Sequence, residues 1–153
     1  MRKFKFQKGF SLLELLLVVG ILSIISLVAF GAYRDFVKNS GLDSIAKGII
    51  FDLKGARAKA MTAENNLKWG AHFINSTDDY YEIFSTPTDY SSASTTIDST
   101  VYLGGNISFS EPAVSSTIIF AKIKGTISAT TTITVISESN SKTITVTPIG
   151  NIY

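Results

Sequence analysis

The sequence predicts an α+β fold in which one long N-terminal helix is packed on an antiparallel β-sheet. Three observations predict it. Apolar residues run with few interruptions from Phe10 to Phe30, then recur at three- and four-residue steps as far as Ala63. Beyond Asn66 the apolar residues alternate with threonine and serine, the two-residue period of strands with one buried face. An amphipathic helix must rest its apolar face on something, and only the C-terminal half of this 153-residue chain can supply it.

The chain divides into four segments. Residues 1–9 form a basic leader carrying Arg2, Lys3, Lys5 and Lys8 and no acid. Without those charges the formal balance moves from +2 to −2, so the basic character belongs to the leader. The weakly acidic remainder argues against nucleic acid as a partner, since phosphate neutralisation needs a basic surface. Residues 10–30 read as a transmembrane helix: 21 residues at 1.5 Å each span about 30 Å, the thickness of a hydrocarbon core. The charge bias places the N-terminus in the cytoplasm and the head outside the cytoplasmic membrane.

Ser11-Leu12-Leu13-Glu14 breaks the apolar run with a carboxylate, which is expensive in such a setting. The four residues fit a capping box, S-x-x-E, at a helix start, and an acid in the first turn is favoured by the helix dipole. Alternatively Glu14 neutralises a cation. Three processing schemes are compatible with the run itself. It is an uncleaved anchor, or a secretory signal cut after Ala29-Phe30-Gly31, or a segment cut at Gly9–Phe10 and retained on the mature chain.

Lys8-Gly9-Phe10-Ser11-Leu12-Leu13-Glu14-Leu15-Leu16 resembles the prepilin signal of type IV pilins and type II secretion pseudopilins. The resemblance implies a pilin-like fold, cleavage after Gly9 by prepilin peptidase, and N-methylation of the new N-terminal Phe10. It further implies that Glu14, fifth in the mature chain, acts in assembly by meeting the Phe10 ammonium of a neighbouring subunit. Opposite charges near 4 Å attract by about 4 kcal/mol at an effective dielectric of 20. The capping and pairing roles of Glu14 are compatible. The implied partners are other pilin or pseudopilin subunits, the peptidase/methylase and the cytoplasmic membrane, with an extracellular pilus or envelope pseudopilus as destination. Many family members carry proline where Gly31 stands here, a departure that bears on any kink.

Residues 31–66 continue as the amphipathic helix, with Leu42, Ile45, Ala46, Ile49, Leu53, Ala56, Ala60 and Ala63 on one face. Gly48 and Gly55 fit either a bendable helix or close packing against the sheet. Asn65-Asn66 ends the pattern. Residues 67–153 form a β-rich head. Trp69–Ile74 and Tyr80–Phe84 flank the turn Ser76-Thr77-Asp78-Asp79, and Ser85–Thr100 is expected to be an exposed loop. Thr100–Leu103, Ile107–Phe109, Thr117–Ile123, Thr132–Ser137 and Lys142–Thr147 complete the strands. The last two form a hairpin with Ile133, Val135, Ile144 and Val146 facing inward, and Gly125 and Gly150 supply positive φ. The segment Asp52–Ala60 and the C-terminal strands resemble those of the H-type minor pseudopilins and related minor pilins. Some relatives bind DNA through basic C-terminal residues, but here only Lys122, Lys124 and Lys142 lie beyond Lys68.

No catalytic set is legible, so no enzyme is expected. Cysteine is absent, which excludes disulfides and Cys-ligated metal. His72 has no carboxylate near it in sequence and reads as packed or exposed. Asp78, Asp79 and Glu82 do not have the spacing of a calcium loop and read as a solvated turn. Neither cofactor nor metal is expected. The competing function is an exported binding module on an uncleaved anchor, its loop Ser85–Thr100 contacting a ligand. A secreted enzyme released before Ala32 is the third.

Overall fold

The computed structural model describes residues 11–104, 106–138 and 140–153, apart from the side chains at 28, 29, 31, 32, 34, 35 and 38. The expected leader, the cleavage site Gly9 and the methylation site Phe10 lie outside the described residues. The architecture is α+β. One helix, α1 (Leu12–Met61), is followed by a 3-10 turn (Glu64–Asn66) and seven strands. These are β1 (Lys68–Ile74), β2 (Tyr80–Thr86), β3 (Thr96–Tyr102), β4 (Ser108–Glu111), β5 (Ser115–Phe120), β6 (Thr131–Ser137) and β7 (Asn140–Val146).

All pairings are antiparallel, but the strands form two sheets where the sequence suggested one. The larger has the order β3-β2-β1-β5 and the smaller β4-β6-β7. The division falls where the chain turns from β4 into β5 across Pro112, a residue that cannot donate to a ladder. By contacts the chain forms two units, residues 1–37 and 38–153.

In the second unit α1 buries one face against both sheets. Leu42, Ala46, Ile49, Leu53, Ala56 and Ala60 share a core with Trp69, Ala71 and Phe73 of β1, Tyr81 and Ile83 of β2, and Ile118 and Phe120 of β5. Ile133, Val135, Ile144 and Val146 complete it from the second sheet. Their alternation with outward threonines is the two-residue period of the sequence made visible. Phe73 anchors the aromatic part, stacked on Tyr81 at 5.6 Å and edge-on to Phe109 at 5.7 Å.

One open alternative is decided and two expectations are corrected. Gly48 and Gly55 do not pack on the sheet, because a Cβ at either would meet nothing within 4 Å. They lie on the outer side of α1, near Phe51, which is 76% exposed. The stretch Ser85–Thr100 is not an exposed loop throughout. Ser85 and Thr86 end β2 buried, and Thr96 onwards is strand β3. Between them Thr86 Oγ1 donates to the Asp89 carbonyl at 2.5 Å and accepts from Thr95 Oγ1 at 3.1 Å, folding the segment back on itself. Asp79 is not solvated. It is buried, and its carboxylate accepts from the backbone N–H of Ser76 at 2.8 Å and of Phe109 at 2.7 Å. It thereby ties the β1–β2 turn to β4 across the two sheets.

The helix ends earlier than Asn65, at Met61, because Ala63, Asn65 and Asn66 all adopt positive φ. Gly125 (φ 62) and Gly150 (φ 84) have the left-handed conformation their sequence context suggests. Both serve Arg57. Its Nε donates to the Gly125 carbonyl at 3.1 Å and its Nη2 to the Ile149 carbonyl at 3.0 Å. A Cβ at Gly150 would sit 2.1 Å from the Gly125 oxygen and 2.5 Å from Arg57 Nε, so only glycine fits.

Candidate functional site

The candidate site is the N-terminal end of α1. Ser11 precedes the helix, and its Oγ accepts from the Glu14 backbone N–H at 3.2 Å. This is the serine half of the S-x-x-E box: one of the four N–H groups that a helix start leaves open is satisfied. Glu14 lies in the first turn, where the positive end of the helix dipole favours a carboxylate. The cap uses only the backbone N–H of Glu14, so its carboxylate is not consumed by that bond. The structure thus places Ser11 and Glu14 together, while Gly9 and Phe10 fall outside the described residues.

From Leu12 to Leu27 every side chain is exposed, from 84% at Leu12 to 46% at Val18. The polar residues of this stretch are handled internally. Ser23 Oγ donates to the Val19 carbonyl and Ser26 Oγ to the Leu22 carbonyl, both at 2.8 Å. Each hydroxyl is paired with its own helix, as an apolar environment requires. Among the described residues no helix is long and apolar enough to cross a membrane. The expected span of 10–30 also takes in Phe10, Val28 and Ala29, which are not among the described side chains.

The head shows packing where the sequence raised the question of chemistry. His72 Nδ1 lies 2.7 Å from Thr117 Oγ1, and its ring stacks on Tyr90 at 3.8 Å. Burial holds the imidazole below its usual pKa, against the pull of Glu82. The Tyr90 hydroxyl donates to Glu82 Oε2 at 2.6 Å, and burial together with that bond pushes the phenol up to about 12. Tyr81 donates to Asp52 Oδ2 at 2.6 Å and is likewise raised, first by burial. Asp43 is held below the ordinary carboxylate range by Lys47 at 2.6 Å and Lys142 at 3.3 Å. Among the described residues no group of three His, Cys, Asp or Glu could hold a metal. Arg57 and Tyr90, which help organise the head, were not singled out by sequence, and Asp79 was read only as part of a solvated turn: each acts on partners elsewhere in the chain or on backbone atoms that carry no sequence signal.

Residues 4–30 match the family model described as the prokaryotic N-terminal methylation motif. No curated protein and no solved structure matches the chain significantly. The match covers residues 4–9 of the expected leader, the Gly9–Phe10 junction, Glu14 and the apolar run. It supports a prepilin-type N-terminus of the type IV pilin and pseudopilin kind, a substrate of prepilin peptidase, and points to a structural subunit rather than an enzyme.

Proposed function

We propose that this chain is a structural subunit of a type IV pilus or a type II secretion pseudopilus. In this reading prepilin peptidase cuts after Gly9 and Phe10 is N-methylated. Residues 10–30 hold the chain in the cytoplasmic membrane, N-terminus inside, and later form the filament core. Residues 31–66 carry the helix into a head of residues 67–153, and Glu14 sets register by pairing with the Phe10 ammonium of a neighbour.

The observation that carries the reading is the match over residues 4–30, joined to a helix whose apolar side chains from Leu12 to Leu27 face outward. Exposure on all sides suits a helix surrounded by lipid or by other helices. The C-terminal resemblance to H-type minor pseudopilins favours a minor position in the assembly. N-terminal sequencing of the mature protein tests the scheme. Methyl-phenylalanine from Phe10 is expected, Met1 would favour an exported module on an uncleaved anchor, and Ala32 a released protein. Labelling the head in filaments reads the copy number: sparse or tip label means minor, continuous label means major.

A further inference from the structure

At one end of β2 and β3 the head presents an aromatic ring beside a polar hollow. Tyr80 and Tyr102 are paired directly across the two strands, and their rings lie 5.2 Å apart at 36°. Tyr80 backs Tyr102, which nevertheless remains 64% exposed. A large ring held in this way offers contact area at little cost in side-chain freedom. Tyr102 helps to line a depression of about 450 Å³, a size common among small-molecule sites.

Backbone bonds fix the walls of the depression. The Leu103 N–H donates to the Asp79 carbonyl at 2.9 Å, tying the end of β3 to the β1–β2 turn. The Asp79 carboxylate accepts from the Ser76 and Phe109 backbones, so it serves as a frame and is not offered to a ligand. Ser76 Oγ is occupied as well, donating to the Asp78 carbonyl at 3.0 Å. Other polar groups of the lining stay open: among the described residues the Asp78 carboxylate, the Asn106 amide and the Thr77 and Ser108 hydroxyls have no hydrogen-bond partner.

The chemistry of this lining narrows the ligand. No lysine or arginine lines the depression, so a phosphate, sulfate or carboxylate would meet the Asp78 charge uncompensated. A wholly apolar ligand would leave the open polar groups without partners. One open carboxylate is too few for a metal ion, which takes several oxygen ligands. A carboxylate accepts from two adjacent hydroxyls, an amide both donates and accepts, and an aromatic face takes the C–H groups of a saturated ring. We infer that the depression binds a neutral pyranose unit, its C–H face on the Tyr102 ring and its neighbouring hydroxyls on Asp78 and Asn106. The site belongs to the head and lies outside Ser85–Thr100. It goes beyond the subunit reading and does not depend on whether residues 1–9 are removed.

The test uses the full-length chain in a detergent without a sugar headgroup. Its probes are the methyl glycosides of glucose, galactose, mannose and N-acetylglucosamine, followed by saturation-transfer NMR. At least one is expected to bind with a Kd on the order of 1 mM, with transfer strongest at the C–H protons of one ring face. Tyr102→Ala and Asp78→Ala are each expected to weaken that binding about tenfold. Tyr102→Phe should keep it, Asn106→Ala gives a second reading of the polar contact, and Thr88→Ala, away from the depression, should change nothing. Melting of each variant is read beside binding, so a lost site is separated from a lost fold. Retention on immobilised oligosaccharides, competed by the free glycoside, identifies the end of a glycan as the source, and binding without retention identifies a free sugar. The proposal is overturned by absence of transfer from all four glycosides, or by binding that survives both Tyr102→Ala and Asp78→Ala. Tighter binding of adenosine or of glucose 6-phosphate than of every neutral glycoside overturns it too.

Discussion

The two stretches of α1 are equally helical and differently employed. From Leu12 to Leu27 all described side chains are exposed, whereas from Leu42 to Ala60 one face is buried to 5% exposure or less and the other carries charge. The difference lies in both hydrophobicity and periodicity: Leu12 to Leu27 carries one charged residue, Leu42 to Ala60 six. Apolar residues on every side of a helix need an environment that surrounds it, and a stripe needs only a flat partner. The head supplies that partner to the second stretch. For the first, the proposed function assigns lipid and then neighbouring helices.

The comparison can be broken at either stretch. Glu14→Val is expected to have the largest effect, because under the proposed function it strands the Phe10 ammonium in an apolar setting. A cost of about 3 kcal/mol or more should lower filament yield over a hundredfold while maturation proceeds. Sheared-filament blots beside whole-cell blots read the two quantities. Leu53→Ala, at a position of 0% exposure, should destabilise the head by about 2–5 kcal/mol, whereas Leu16→Ala should leave head melting unchanged. Equal melting losses for both would erase the distinction between the stretches.

Gly150→Ala should cost the head about 1–3 kcal/mol, through the strained φ and the lost seat of Arg57. Arg57→Ala should then add little, since both substitutions remove the same clasp. The smallest effect concerns pH. The folded state holds the His72 imidazole below its ordinary value of 6.5, so it binds fewer protons than the unfolded chain. Its contribution is therefore complete above that value and declines as pH falls below it. Head melting at pH 7.5 and pH 5 should differ by less in His72→Gln than in the parent.

How far the sequence was legible follows from the range of each interaction. The buried face of the second stretch and the β6–β7 hairpin were legible because their signals repeat locally, at 3.6 and two residues. Strand β3 was legible only at its end, Thr100–Tyr102, since six of its seven residues are exposed and its serine, threonine and aspartate content imitates a loop. Asp79 was misread as solvated because its partner Phe109 lies 30 residues on and offers only a backbone N–H. Gly48 and Gly55 left two packings open until the face they occupy was known. At the candidate site, the short motif from Gly9 to Glu14 was legible as a string, and the Ser11 cap adds to it a local reason for the helix to start there.

The Arg57 clasp joins a helix residue to a carbonyl 92 positions later. A chain synthesised from its N-terminus delivers α1 and both flanks of the larger sheet long before Ile149 and Gly150 arrive. Until then the guanidinium has no seat and the tail has not closed over the turn at Gly125. The clasp can therefore latch only once nearly the whole sequence has been made, so this seam of the head is the last to close.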